Sequence, residues 1–281
     1  MNYLRRGLNA TFNSIKKHKL LFLVILLLQI IFVVSSLWLG SLYLLKILEN
    51  TQGIIGPLEN ANYDSQKIEQ GEPFTPDYAA IYNSYQSMLK NVIIFAARMA
   101  MLFLLLNGSI WLLSHWVLQE KRSWKLRFKE SLQFLLKTWA SIFILFGPFK
   151  VISYYVLLHF IRVSQSFSNI ALVLKILLIA SLVIYYFFLV ALAVAPVLSW
   201  KQFAKMWIHA SVTQFRKTVV LFFSIMAALF VSFAALYWAI EYEKSAASLL
   251  LLGMACIVMI GVIRIFWIAT IQEIEHETSH H

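Results

Sequence analysis

Four cations lie within long apolar stretches of the sequence, away from any carboxylate: Arg98, Lys150, Lys175 and Arg264. A charged side chain in hydrocarbon needs a partner, water, or a route to the interface. Arg98 and Lys175 are close enough to the outer ends of their stretches to snorkel, and Arg264 to the inner end of its own. Lys150 is not: it stands twelve residues from both Thr138 and Arg162, which is ~18 Å of helix on either side. Insertion scales assign roughly 2.5–3.5 kcal/mol of cost to a central Lys. Pro148, two residues earlier, removes the amide that would bond the Ile144 carbonyl and leaves an acceptor nearby. Two chemistries are open. In one, freed carbonyls or tyrosines such as Tyr154 and Tyr185 satisfy Lys150. In the other, Lys150, with Arg98 and Lys175 toward the outer side, lines a polar cavity that takes an anionic lipid headgroup or solute.

Other chemistry is poorly provided for. No Asp or Glu lies inside any predicted span, whereas ion-coupled transport and intramembrane metallo- or aspartyl proteolysis need embedded carboxylates or histidine clusters. HExxH, GxSxG, GxxxxGK[ST] and a strand-supported GxGxxG are all missing from the sequence. His115, His159 and His209 fall near predicted interfaces without metal-ligand spacing and read as ordinary interfacial residues. Asn107, Gly108 and Ser109 read as a helix-to-helix hydrogen-bonding patch. The single cysteine, Cys256, sits in an apolar run and reads as core packing, with no partner for a disulfide or CxxC site. The expectation is a non-enzymatic protein with no catalytic residue, no metal and no cofactor.

The elements that carry these residues are membrane spans. A chain of 281 residues with 60% hydrophobic and 13% charged content and a mean hydropathy of +0.74 is too apolar for a soluble domain. The net charge of +11 sits in short segments between apolar runs. It therefore reads as orientation by cytoplasmic Lys and Arg, with nucleic acid excluded as a partner.

Two of those segments repeat one another. Ser123 to Thr138, SWKLRFKESLQFLLKT, puts Trp124, Phe128, Leu132 and Leu135 on one helical face and Lys125, Lys129, Gln133 and Lys137 on the other. Ser199 to Thr218, SWKQFAKMWIHASVTQFRKT, puts Trp200, Phe203, Trp207, Ile208, Val212 and Phe215 opposite Lys201, Lys205, His209 and Arg216. Both open with Ser-Trp-Lys, close with Lys-Thr and lead into an apolar run. A looser N-terminal copy sets Leu4, Leu8, Phe12 and Ile15 against Arg5, Arg6, Asn9, Asn13 and Lys16. The expected fold is an all-α polytopic membrane helix bundle, one membrane domain over 1–281, with six transmembrane spans and three interfacial amphipathic helices.

Spans are expected at about 20–45, 89–113, 138–161, 170–198, 219–240 and 248–270, with an outer loop and helical projection over 49–88. The first run is too long for a signal-peptide core and reads as an uncleaved span. Gly53, Gly56 and Pro57 should break the following insertion into loop. Thr75 then reads as a cap and Pro76 as the first residue of a helix. Its stripe of Tyr78, Tyr82 and Tyr85 is expected to pack on an extension of the first span. Gly147-Pro148 should interrupt the third span. In the fifth, Ser224, Ala228 and Ser232 recur every fourth residue, a small-residue face for close helix packing within the monomer or across a dimer. Basic residues cluster in the segments assigned inside and carboxylates mostly outside, so both termini should be cytoplasmic in a multi-pass protein of the cell membrane.

The paired SWK segments with their following spans, roughly Ser123 to Thr270, resemble poorly characterised multi-pass families of bacteria and archaea. Among these is the membrane domain attached to some glycerophosphodiester phosphodiesterases. The resemblance implies a fold and membrane association only; the soluble phosphodiesterase domain is absent. Two functions follow as expectations. One is a lipid-interacting scaffold or regulator of a membrane partner, binding anionic lipid through Trp124, Lys125, Lys129, Trp200, Lys201 and Lys205, with a membrane protein or a second copy as partner. The other is a conduit for an anionic amphiphile or solute centred on Lys150.

Overall fold

Once water is removed, backbone donors and acceptors must be paired within the chain, and every regular element among the described residues is a helix. The computed structural model describes residues 2–60, 77–119, 124–163, 167–196, 199–242 and 245–279. In order these form α1 (Asn2–Lys17), α2 (Lys19–Asn60), α3 (Tyr78–Leu102), a π-helical turn (Phe103–Asn107) and α4 (Gly108–Leu118). There follow α5 (Trp124–Val163), α6 (Phe167–Val194), α7 (Trp200–Ile208), a second π-helical turn (His209–Thr213), α8 (Phe215–Glu241) and α9 (Ala246–Ser279). Six stretches are long and apolar enough to cross a membrane: Lys19–Glu59, Tyr78–Leu118, Ser131–Phe160, Asn169–Val194, Phe215–Glu241 and Ala246–Glu275. Their number is that of the expected spans, and each overlaps one of them.

Glycine and proline break fewer helices than their propensities imply. α2 continues through Gly53 and Gly56 to Asn60 with Pro57 inside it, where loop was expected. α5 runs unbroken through Gly147-Pro148. In an apolar setting an interrupted helix would strand several backbone groups, whereas a proline strands one carbonyl, so the helix persists. The cap of α3 is Asp77, whose side chain accepts from the Ala80 amide at 3.0 Å; Thr75 and Pro76 lie outside the described residues.

By its internal contacts the chain forms two compact units, residues 30–107 and residues 1–29 with 108–281. In the first, α2 and α3 pair antiparallel. Tyr43 stacks obliquely on Phe95 at 5.5 Å, Phe32 meets Phe103 edge-on at 6.3 Å, and a Cβ on Gly53 would collide with the Ser84 hydroxyl. Tyr78, Tyr82 and Tyr85, expected to cover an extension of the first span, are exposed.

In the second unit the core gathers around the last turns of α6, where Tyr186 and every residue from Phe188 to Ala195 are buried. α1 packs on α9 through a stripe of Tyr3, Gly7 and Thr11, and a Cβ on Gly7 would collide with Thr270. α8 meets α9 where the Cys256 thiol approaches the Ser232 carbonyl (3.5 Å) and the Ser232 hydroxyl bonds Met259 Sδ (2.7 Å). Of the three residues of the expected small-residue face, Ser232 makes these contacts, Ala228 is half-buried and Ser224 is exposed.

Among the described residues, the faces that the amphipathic segments bury are largely offset from their apolar stripes. α1 buries Tyr3, Gly7 and Thr11 while Leu8 and Phe12 are exposed; α5 buries Phe134, Lys137, Thr138 and Ser141 while Leu132 and Leu136 are exposed. α7 buries Phe203, the π-helical turn buries Ala210 and Ser211, and Trp200, Ile208, Val212 and Phe215 are exposed. Apolar periodicity marks what avoids water. In lipid, packing surfaces favour small and hydrogen-bonding residues, and bulky apolar ones are free to face outward.

Candidate functional site

Pro196 has no amide to close a helical bond on the carbonyl of Leu192. Among the last turns of α6 this is one of several acceptors left over, because the final carbonyls of any helix have no partner in the next turn. Side chains from other helices supply the donors. Nε2 of His115, on α4, donates to the Leu192 carbonyl at 2.9 Å. Nζ of Lys137, on α5, donates to the Ala195 carbonyl at 3.3 Å. Indole nitrogens add two more bonds, to carbonyls inside the helix rather than at its free end, Trp267 on α9 to the Leu189 carbonyl at 2.9 Å and Trp207 on α7 to the Phe187 carbonyl at 3.0 Å. The last turns of α6 thus accept from four helices.

The two charge-capable donors are fully enclosed. His115 is 1% exposed and meets the Phe134 ring edge-on at 5.6 Å. A carbonyl only accepts, so the proton is on Nε2, and Nδ1 is buried with no hydrogen-bond partner among the described residues. Lys137 is 0% exposed. Its ammonium lies 5.5 Å from the Phe203 ring and 5.9 Å from that of Trp200, both from the second SWK segment. A cation at the carbonyl end of a helix and against aromatic faces is favourable on both counts. Ser199 caps α7, its hydroxyl accepting from the Gln202 amide at 3.4 Å, and so fixes where those rings begin.

The Lys-Thr that closes each repeat occupies related surroundings. Lys217 lies 5.8 Å from the ring of Tyr3 on α1, as Lys137 lies against rings of α7. Thr218 is buried, with Oγ1 2.6 Å from the Tyr186 hydroxyl, which also donates to the Ser211 carbonyl at 3.0 Å. Each lysine thus pairs with an aromatic residue of another amphipathic helix. Nδ1 of His209 donates to Oε1 of Glu275 at 2.9 Å, tying the second π-helical turn to α9.

The residues singled out from sequence lie on several helices. Lys150 and Lys175 are exposed on α5 and α6. Arg98, also exposed, has its guanidinium 5.7 Å from the Tyr43 ring within the 30–107 unit. Arg264 is half-buried with its guanidinium 5.3 Å from the Trp111 ring. Lys201 and Lys205 are exposed on α7 beside the half-exposed Trp200. Trp124, Lys125 and Lys129 lie in the first turns of α5, their side chains outside the described residues. An apolar hollow of about 290 Å3 opens beside α7, walled by Leu145, Phe187, Trp207, Ile208 and Val212.

Sequence reasoning counted Lys137 as part of a polar face and His115 as interfacial; both are core residues. The signals were Pro196, which frees the Leu192 carbonyl, and the repeated Lys-Thr. Among the described residues no three of His, Cys, Asp and Glu converge on a common point. The node can hold a helix end in place; it presents no nucleophile paired with a base. No protein-family model, no curated protein and no solved structure matches this chain.

Proposed function

We propose that this multi-pass protein is a non-enzymatic, lipid-interacting scaffold or regulator of a membrane partner. One observation carries the reading: bulky apolar side chains stand exposed on the same short helices as exposed cations. On α1 these are Leu8 and Phe12 beside Arg5 and Arg6; on α7 they are Trp200 and Ile208 beside Lys201 and Lys205. An amphipathic helix of this composition lies in the interface, rings and aliphatic groups in the acyl boundary and cations at the headgroups. The apolar hollow beside Trp207 and Ile208 gives an acyl chain a place to lie. With Lys and Arg inside, the interfacial helices and both termini face the cytoplasm of a cell-membrane protein, and the partner is a second copy or another membrane protein. The likeness to membrane domains of some glycerophosphodiester phosphodiesterases enters here as a proposal about fold alone.

Spin-labelled lipids in reconstituted vesicles test the reading. Each basic residue near the surface contributes about 1 kcal/mol toward anionic lipid. Replacing Lys125, Lys129, Lys201 and Lys205 by Gln should lower the protein's selectivity for anionic over zwitterionic lipid at its boundary severalfold. Unchanged selectivity in that variant would overturn the reading.

A further inference from the structure

The junction of α1 and α2 carries a second feature that the node around α6 does not use. α1 ends at Lys17, and the backbone continues into α2 through His18, whose amide bonds the Ser14 carbonyl at 2.9 Å while its own carbonyl accepts from Phe22 at 3.1 Å. Four consecutive basic or basic-capable residues, Lys16 to Lys19, are thereby presented from one turn. They rim a hollow of about 720 Å3 whose wall is apolar, formed by Leu20, Leu21, Val24 and Trp116. Among the described residues that line it there is no carboxylate. Leu20 is 82% exposed and Val24 42% exposed, in the first turns of a stretch long enough to cross a membrane.

A soluble anion needs only the rim, and an apolar peptide needs only the wall. A molecule that uses both has a phosphate joined directly to aliphatic chains, and an indole beside the rim suits the depth where headgroup meets acyl region. We propose that this hollow binds one anionic phospholipid, its phosphate against Lys16 and Lys19 and the upper part of an acyl chain along Leu20, Val24 and Trp116. The inference rests on the lipid-interacting reading and narrows it to one site and one ligand class. The bound lipid fastens the basic end of α1 to the start of α2, and so acts as a structural ligand at the head of the first span.

The full-length protein in mild detergent, titrated with phosphatidylglycerol or phosphatidylcholine and read by native mass spectrometry, tests the site. One phosphatidylglycerol should be retained at least tenfold more tightly than phosphatidylcholine. K16Q/K19Q should lose that preference, K16R/K19R should keep it, and V24S should weaken retention of the anionic lipid. Glycerol phosphate, which has the headgroup without the chains, should fail to displace it. All the altered side chains are exposed, and the elution profile on size exclusion checks that the fold is kept. The proposal is overturned when K16Q/K19Q retains phosphatidylglycerol as the unaltered protein does, or when glycerol phosphate displaces it and V24S has no effect, the result for a free-anion site. K201Q/K205Q serves as the separating control. Retention of the single lipid in that variant supports the junction site even where the boundary selectivity attributed to α7 proves absent.

Discussion

His115 illustrates how a single residue's role is set by a missing atom elsewhere. Its imidazole occupies the place of the amide that Pro196 lacks, so removing it leaves the Leu192 carbonyl without a donor. An unsatisfied buried acceptor costs about 1–3 kcal/mol. H115L should therefore lower the unfolding free energy in detergent by that amount. P196A, which returns an amide, should recover part of the loss in the double variant. Strict additivity of the two substitutions would show that the histidine and the proline are not linked. At this scale the sequence showed the kind of device but not this instance of it. A proline that frees a carbonyl near a basic side chain was identified at Pro148 and Lys150, yet Lys150 is exposed, and the same device operates at Pro196 with His115, while Lys137 serves the nearby Ala195 carbonyl. Both pairings cross between helices, over sequence separations that no local spacing reveals.

At the level of elements, hydropathy located all six apolar helices because span length is set by bilayer thickness. It did not locate their packing faces. Leu132 and Leu136 are exposed while Thr138 and Ser141 are buried, since lipid accepts the former and a neighbouring helix accepts the latter. Gly7 and Gly253 turn this into a contrast. A Cβ at position 7 would collide with Thr270 and drive α1 away from α9, whereas one at position 253 meets open space. G7A should destabilise the protein by about 1–3 kcal/mol, the usual cost of overpacking. G253A should be neutral or stabilise by up to about 1 kcal/mol, the helix-propensity difference between the two residues. Thermal unfolding followed by size exclusion distinguishes these outcomes, and equal effects would mean that α1 does not sit against α9 as described.

For the molecule as a whole, the proposed orientation of the six apolar helices rests on the distribution of charge. Arg5 and Lys201 should lie on one face of the membrane and Glu241, at the far end of α8, on the other. Cysteines placed at these three positions and treated with an impermeant thiol reagent in sealed vesicles should give one protection pattern for 5 and 201 and the opposite pattern for 241. Shared accessibility of 201 and 241 would remove the orientation and the surface roles that depend on it. The division into residues 30–107 and the remainder was not legible beforehand, because it depends on which helices touch. The repeat did foreshadow the links within the larger unit, in the lysines 137 and 217 that meet rings of α7 and α1.

Those long-distance links impose an order on manufacture. Lys137 cannot be enclosed until the ribosome has delivered Phe203, nor can Gly7 seat against its neighbour until residue 270 has emerged. α1 must wait, unlatched, for α9, and Lys137 stays uncovered until its aromatic shelter arrives.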